Sequence, residues 1–519
     1  MANKSLFASL VGRLIPGADA RNAESAPAYA FTPEHRLAQI AMTGTFNRTF
    51  YADGTAQLDG LLKAAQEVDP SFAAKTAVYA RQKGYMKDTP ALLLAWTSLL
   101  QTDDFARAFP RVVDNGKMLR TFVQLMRSGV TGRKSLGTRP KRMVQAWLET
   151  ASDAELLRAS VGNDPSLADV VKMVHPKPKS AERAAFFAWL LGKPYDVAAL
   201  PPIVAAFEAF KRDPSGPVPD VPFQMLTALP LSKEQWAGIA ERAGWHMLRM
   251  NLQTFARHGV YEVEGMAEKI AERLADAQAI RRARVFPYQL MQAFSMSETG
   301  VPDVIRNALQ DAMEIATANV PSIDGHVVVL PDVSGSMRSA VTGYRKGSTS
   351  KVRCVDVAAL VAATLLRANR QARILPFETT VVDVTLNPRD SVMTNAAKLA
   401  AVGGGGTNCS APIERLITER AKVDLVVMVS DNESWLDAPH HQHQGTGLMQ
   451  AWERLKVLNP AAKLVALDIQ PNLTTQVRER ADVLNIGGFS DQVFEVIAAF
   501  ARGDHAVGTW VEEIDRIVL

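Results

Sequence analysis

Cysteine is scarce in this chain: Cys354 and Cys409 are the only two among 519 residues. Two thiols exclude a disulfide scaffold and a cysteine-rich zinc site, and they fit a reducing compartment. Long apolar runs are also missing. No stretch approaches 18 apolar residues without charges, so no membrane span is expected. The first residues, "MANKSLFASLVGRLIPG", hold one short apolar patch and no long apolar core, which argues against a signal peptide and for a cytoplasmic protein. The four glycines at 403–406 lead into Thr-Asn-Cys, not Gly-Lys-Ser/Thr, so they are no Walker A loop. Aromatics make up 7% and are scattered. No RRM, KH or zinc-finger signature is present.

What remains is an ordinary globular composition, 47% apolar and 22% charged, in a chain too long for one core. The charge is unevenly placed. Residues 1–320 carry 38 Lys/Arg against 32 Asp/Glu, and the remainder 20 against 22. From Phe105 to Gln145 there are ten basic residues and one acidic residue, Asp114. A field of one sign attracts polyanions and speeds their encounter, without naming the polyanion.

Three regions are expected. Residues 1–30 read as a loosely ordered segment, partly disordered or packed on the region that follows. Residues 31–320 read as short helices, among them "PSFAAKTAVYARQKG", "KMLRTFVQLMRSG" and "RPKRMVQAWLETA", with apolar residues three and four apart and Gly, Pro, Asp or Asn at the joints. Many short helices with brief joints predict stacked pairs, as in a solenoid. No repeat is exact, so a compact irregular helical domain is the alternative. Residues 321–519 change character: continuous apolar strands such as "HVVVLP", "DLVVMV" and "KLVALDI" alternate with helices, the pattern of a doubly wound α/β domain with a covered parallel sheet. The final "GTWVEEIDRIVL" is apolar enough to pack back onto the helical region.

The functional crevice of an open α/β sheet lies beyond the carboxyl ends of its strands. "PDVSGSM" puts Asp332, Ser334 and Ser336 there at alternate positions. "GGGGTNCSAP" adds Thr407, and "VSDNES" puts Asp431 directly after a strand. Each piece has a plainer reading: an Asp/Ser turn satisfying its own backbone, a flexible loop or phosphate cradle, a helix cap. Together they make a hard-oxygen site suited to Mg²⁺, with Ca²⁺ and Mn²⁺ left open. Catalysis is not expected. Ser334 or Ser336 as nucleophile lacks a base, since His326 sits at the start of its strand. His440, His441 and His443 read as a polar surface loop in preference to a second metal site.

This order of residues resembles the metal-ion-dependent adhesion site of von Willebrand factor A domains. The resemblance matches Asp332, Ser334, Ser336, Thr407 and Asp431 to that family's metal-holding positions. It implies a doubly wound fold and a Mg²⁺ with an open position that a partner's carboxylate can fill, hence ligation and not catalysis.

Upstream, "GVTGRKSLGTRPKRMVQAWLE" crowds Arg133, Lys134, Arg139, Lys141 and Arg142 around the start of a helix, where exposed N–H groups already favour anions. Ser135 and Thr138 add hydroxyls. Solubilising surface charge is the plainer reading; the lack of balancing acids weighs against it. "VVKMVHPKPKS" places Lys172, His175, Lys177 and Lys179 between helices. His175 can stack on a base or donate to phosphate, although a lone histidine is more often structural.

The helical region with "AAKTAVYARQKGYMKDTPALL", "GRKSLGTRPKRMVQAWL" and "MVHPKP", followed by the A-type domain with "SDNESW", resembles the Ro 60 kDa autoantigen family and its bacterial members. The similarity covers about residues 31–519. It implies a ring of HEAT-like helical repeats, the TROVE domain, closed by the A domain. It implies small structured Y RNAs on a basic outer surface and single-stranded ends of misfolded or damaged RNAs in the central hole. An exoribonuclease such as polynucleotide phosphorylase, tethered through Y RNA, is an implied partner. His175 matches the family's inner-surface histidine, with Lys172 beside it and Lys177 in the same motif. Arg133, Lys134, Lys141 and Arg142 lie in the region of the RNA-binding helices. The expected molecule is a monomeric, non-enzymatic RNA-binding scaffold of RNA quality control. The alternative is a metal-dependent protein-interaction module without RNA.

Overall fold

A computed structural model of the chain describes residues 17–283, 285, 287–297, 299–317, 320–344, 352–437, 445–490, 492–503 and 510–519. His440, His441 and His443 lie outside the described residues, as does the start of the chain up to residue 16.

Short helices follow one another from α1 (Pro33–Thr43) to α6 (Asp303–Thr317), passing through α2 (Pro70–Gln82), α3 (Thr138–Thr150), α4 (Leu167–Val174) and α5 (Pro287–Met296). The sequence writes their starts locally. The Thr32 hydroxyl accepts from His35 N and Pro33 takes the first helical position; the Asp69 carboxylate accepts from Ser71 N before Pro70 opens α2. Ser152 with Glu155, Ser166 with Asp169, and Ser232 with Gln235 form reciprocal capping boxes. Such a cap is worth about 1 kcal/mol, so orientation comes from caps and the larger stabilisation from the buried faces. Phe105, Phe109 and Phe122, on neighbouring helices, meet with ring centroids 5.4–6.0 Å apart and are shut off from solvent.

The chain then enters a five-stranded parallel sheet. Eight short strands occur among the described residues: β1 (Ala20–Arg21), β2 (Pro27–Ala30), β3 (Val327–Pro331), β4 (Arg373–Ile374), β5 (Leu425–Ser430), β6 (Lys463–Asp468), β7 (Thr474–Thr475) and β8 (Val483–Gly487). The sheet order is β4-β3-β5-β6-β8. Val327 pairs with Leu425 and Pro331 with Val429. Every residue of β3 and β5 is buried, because helices cover both faces. Alternate side chains divide the sheet: Val329 and Val427 pack into one core, Val328 and Val426 into another that contains Trp452. The first two sheet strands exchange places, so the order reverses between β3 and β5. That switch point is where open α/β sheets bind ligands.

The helical region meets the α/β domain at both of its ends, which closes the chain into a ring. At the far end, Glu314 of α6 binds Arg367 of α7 (Cys354–Ala368) at 3.0 Å and accepts from Val392 N, which opens α8 (Val392–Ala400), at 2.8 Å. At the near end the final helix α9 (Trp510–Asp515) returns to the first helices. Lys75 binds Asp515 at 2.8 Å, and Trp510, 2% exposed, meets His35 edge-on at 5.4 Å. His35 in turn reaches Glu479 at 3.0 Å. The return of the apolar C-terminal segment thus follows the sequence expectation. In the described part of the opening segment, residues 20–30 pack on the α/β domain: β2 pairs antiparallel with β7, Tyr29 opposite Thr475. The cause is Tyr29, which sits fully buried in the Trp452 core.

Candidate functional site

The crevice at the β3/β5 switch point gathers the oxygens. Asp332 leaves β3 and is held by Val429 O, which accepts from its N–H at 2.9 Å. One Asp332 carboxylate oxygen accepts from Ser334 N at 2.8 Å and the other from the Ser430 hydroxyl at 2.7 Å. The Ser334 and Ser336 hydroxyls lie 3.3 Å apart, and Ser336 stands beside the Asp431 carboxylate. Thr407 joins through its backbone: its carbonyl accepts from Trp435 N and Leu436 N, both at 3.2 Å, in the loop after Asp431. Ser430 is a member that motif reasoning missed, although it directly precedes Asp431 at the strand end.

The glycine run has a steric reason. Gly335 N donates to Gly405 O at 2.8 Å, bringing this loop onto the Asp332–Ser336 turn. A Cβ on Gly403 would stand 2.3 Å from Val333 O, and Gly403 has φ +79°. The run therefore serves close approach of two loops, and Glu378 braces it by accepting from Gly405 N at 2.6 Å.

Burial and mutual repulsion shape the electrostatics. Burial pushes the Asp332 carboxyl above its ordinary range. Burial, and then the neighbouring Asp332, push Asp431 up to about 7. Two buried carboxylates side by side disfavour ionisation, and a bound cation would relieve that cost. Among the described residues no three His, Cys, Asp or Glu side chains gather as a metal-binding group. The set here is two carboxylates with hydroxyls, a donor chemistry that fits a hard divalent cation keeping some of its water.

The basic stretch forms a second site. An open cavity of about 680 Å³ at the start of α3 is lined by Arg127, Lys134, Ser135, Thr138, Lys141 and Arg142, with no acid among its lining residues. Gly137 caps α3 without a side-chain bond, leaving first-turn N–H groups to face a ligand. Met173 of α4 lines the same cavity, and Gln145 of α3 donates to Val174 O at 2.6 Å. The two basic stretches read separately in the sequence are therefore neighbours. His175 ends α4 in a left-handed turn, φ 48°, and is exposed together with Lys172 and Lys177. Exposed Arg133 folds over Gly137 beside the cavity. Arg127, which the motif reading passed over, joins from the preceding helix.

Arg139 requires a correction as a candidate contact. Its guanidinium donates to Leu100 O at 3.1 Å and Thr102 O at 2.5 Å, and lies 5.6 Å from the centroid of the Phe105 ring. Those carbonyls and that ring occupy it, so it clamps α3 to the preceding helices instead of facing the cavity.

A closed run of short helices joined to a doubly wound α/β domain, with paired carboxylates and hydroxyls at its switch point, defines the class: a helical-repeat protein carrying a von Willebrand factor A-type domain. Residues 326–501 match the Ro60 vWA domain family. The chain is 27% identical over 528 aligned residues to RNA-binding protein RO60 of Deinococcus radiodurans, covering 93% of this chain and 95% of that one. It is 23% identical over 256 residues to RNA-binding protein RO60 of Caenorhabditis elegans, covering 46% of this chain and 37% of that one. The crystal structure of the Deinococcus radiodurans RO (RSR) protein has the same fold, with a TM-score of 0.62 at 24% identity, covering 91% of this chain and 100% of that one. Residues 326–501 thus carry a vWA domain of the Ro60 type, and the chain as a whole is similar to the Ro 60 kDa proteins.

Proposed function

We propose that this protein is an RNA-binding scaffold of non-coding RNA quality control and has no catalytic chemistry of its own. The observation that carries the reading is the acid-free cavity at the start of α3, where Lys134, Lys141, Arg142 and Arg127 surround an open helix N-terminus. Polyanion backbones are held by such an arrangement, and the exposed His175 corner beside it suits an unpaired base or terminal phosphate. The names of the similar proteins, each an RNA-binding protein, support the same reading. Small structured Y-like RNAs and single-stranded ends of misfolded RNAs are the ligands we assign. An exoribonuclease such as polynucleotide phosphorylase is a partner acting through the RNA. We assign the protein to the cytoplasm as a monomer. No helix among the described residues is long and apolar enough to cross a membrane.

Asp332, Ser334, Ser336, Thr407 and Asp431 are the residues we assign to Mg²⁺ or another divalent cation. When bound, the cation supplies positive charge between two carboxylates. Asp332 and Asp431 would supply the negative charge and the hydroxyls neutral oxygens, while Ser430 and Ser334 N hold the Asp332 carboxylate in place.

The test is gentle lysis, capture of the full chain, and sequencing of whatever RNA accompanies it. Short structured RNAs and RNAs with unpaired 3′ ends are expected. Protein free of nucleic acid that also ignores single-stranded RNA at low salt would sink the reading.

A further inference from the structure

The oxygen cluster is closed to solvent: Ser336 is 7% exposed, Thr407 2%, Asp431 1%, and Asp332 and Ser334 0%. A site that receives a carboxylate from a separate protein needs an opening, and here the same chain supplies a cover. Asn47 Nδ2 donates to Thr342 O at 2.9 Å and Tyr344 N donates to Arg48 O at 2.6 Å. The approach is tight, since a Cβ on Gly343 would stand 2.8 Å from the Asn47 Cβ. This pairing carries the segment 47–51 over the loop that follows Ser336 and brings the Tyr51 hydroxyl beside Ser336 and Asp431. From another part of the N-terminal segment, Ala23 N donates to Glu433 Oε2 and Asn22 Nδ2 to Ser434 O, both at 2.7 Å.

With Asp431 ionised, as a bound cation would hold it, its carboxylate only accepts. A Tyr51 hydroxyl donating to the Ser336 oxygen would then leave the Ser336 proton for Asp431, and would orient Ser336 without displacing it from the cluster.

We propose that Tyr51 is a positioning residue of this cation site, and that cation binding clasps the N-terminal segments 19–31 and 44–52 to the A domain, so that the site acts inward instead of recruiting a partner's carboxylate. The proposal rests on the metal assignment above. Partners that orient a metal's ligand typically change affinity about 10–100-fold. Linkage is reciprocal: a contact that tightens the cation must itself be tightened by the cation.

The experiment uses the full chain, with Mg²⁺ and Mn²⁺ titrated calorimetrically and hydrogen exchange followed along residues 19–52. In the wild type, Mg²⁺ should slow exchange in both covering segments. Tyr51→Phe keeps the ring and removes the hydroxyl. It should melt near the wild type without metal, bind Mn²⁺ about 10–100-fold more weakly, and lose most of the Mg²⁺-dependent slowing. Unchanged Mn²⁺ affinity in Tyr51→Phe, or wild-type exchange in these segments indifferent to saturating Mg²⁺, overturns the proposal. A wild type that binds neither cation overturns the metal assignment itself, a distinct result for which Asp332→Ala is the non-binding control.

Discussion

The two halves of the molecule handle charge in opposite ways. The face around α3 gathers cationic side chains, leaves them in water and lines their cavity with no acid. The switch point of the A domain gathers carboxylates and removes them from water entirely. A polyanion is held by many exposed contacts, each worth little and screened by salt. A small hard cation is held by a few buried oxygens whose repulsion it cancels. The proposed function puts RNA at the first site and a metal at the second, and on that reading each site is breakable without the other.

The largest expected effect is at the buried site. Asp332→Ala should abolish calorimetric Mg²⁺ binding while leaving the salt dependence of RNA binding intact; retained metal at full stoichiometry would refute the assigned site. Next comes Arg139. Because its donors are spent on Leu100 O and Thr102 O, Arg139→Gln should destabilise the helical region by about 1–2 kcal/mol in denaturant melts, with no change in the RNA salt slope. A lowered slope with unchanged stability would restore Arg139 to the RNA face. His175→Ala should be milder, losing about 1 kcal/mol of affinity for single-stranded RNA in a filter-binding assay, the low end of base stacking. Double-stranded RNA binding should hardly move. The smallest effect is expected from thiol reagents. Burial pushes Cys354 up to about 12 and Cys409 well above the ordinary thiol range, so both should stay unmodified in the folded chain and react only on denaturation.

Much of the A domain was legible because its signals are local. Continuous apolar strands mark a sheet covered on both faces, and oxygen-bearing residues at strand ends mark the crevice, so Asp332, Ser334, Ser336 and Asp431 could be placed from spacing alone. The helical region was legible as helices through apolar residues three and four apart, but as a closed ring only through the family resemblance. Closure depends on Trp510 meeting His35 and on Glu314 meeting Arg367, pairs with no sequence periodicity. The same limit explains the missed residues. Tyr51 reaches Ser336 only after the chain has closed, and Arg127 lines the basic cavity only because its helix packs beside α3. Arg139 misled for the converse reason: in sequence it is one of five neighbouring cations, and only tertiary structure shows which one faces inward.

The central claim is that RNA is held by the helical half through phosphate contacts at the start of α3. The most direct measurement is the slope of log affinity against log salt for single-stranded RNA, comparing the wild type with the combined Lys134→Gln, Lys141→Gln, Arg142→Gln variant. Each lost phosphate contact should lower the slope by about 0.7, about 2 in all, and affinity should fall most at low salt. A variant with the wild-type slope and affinity would contradict the account.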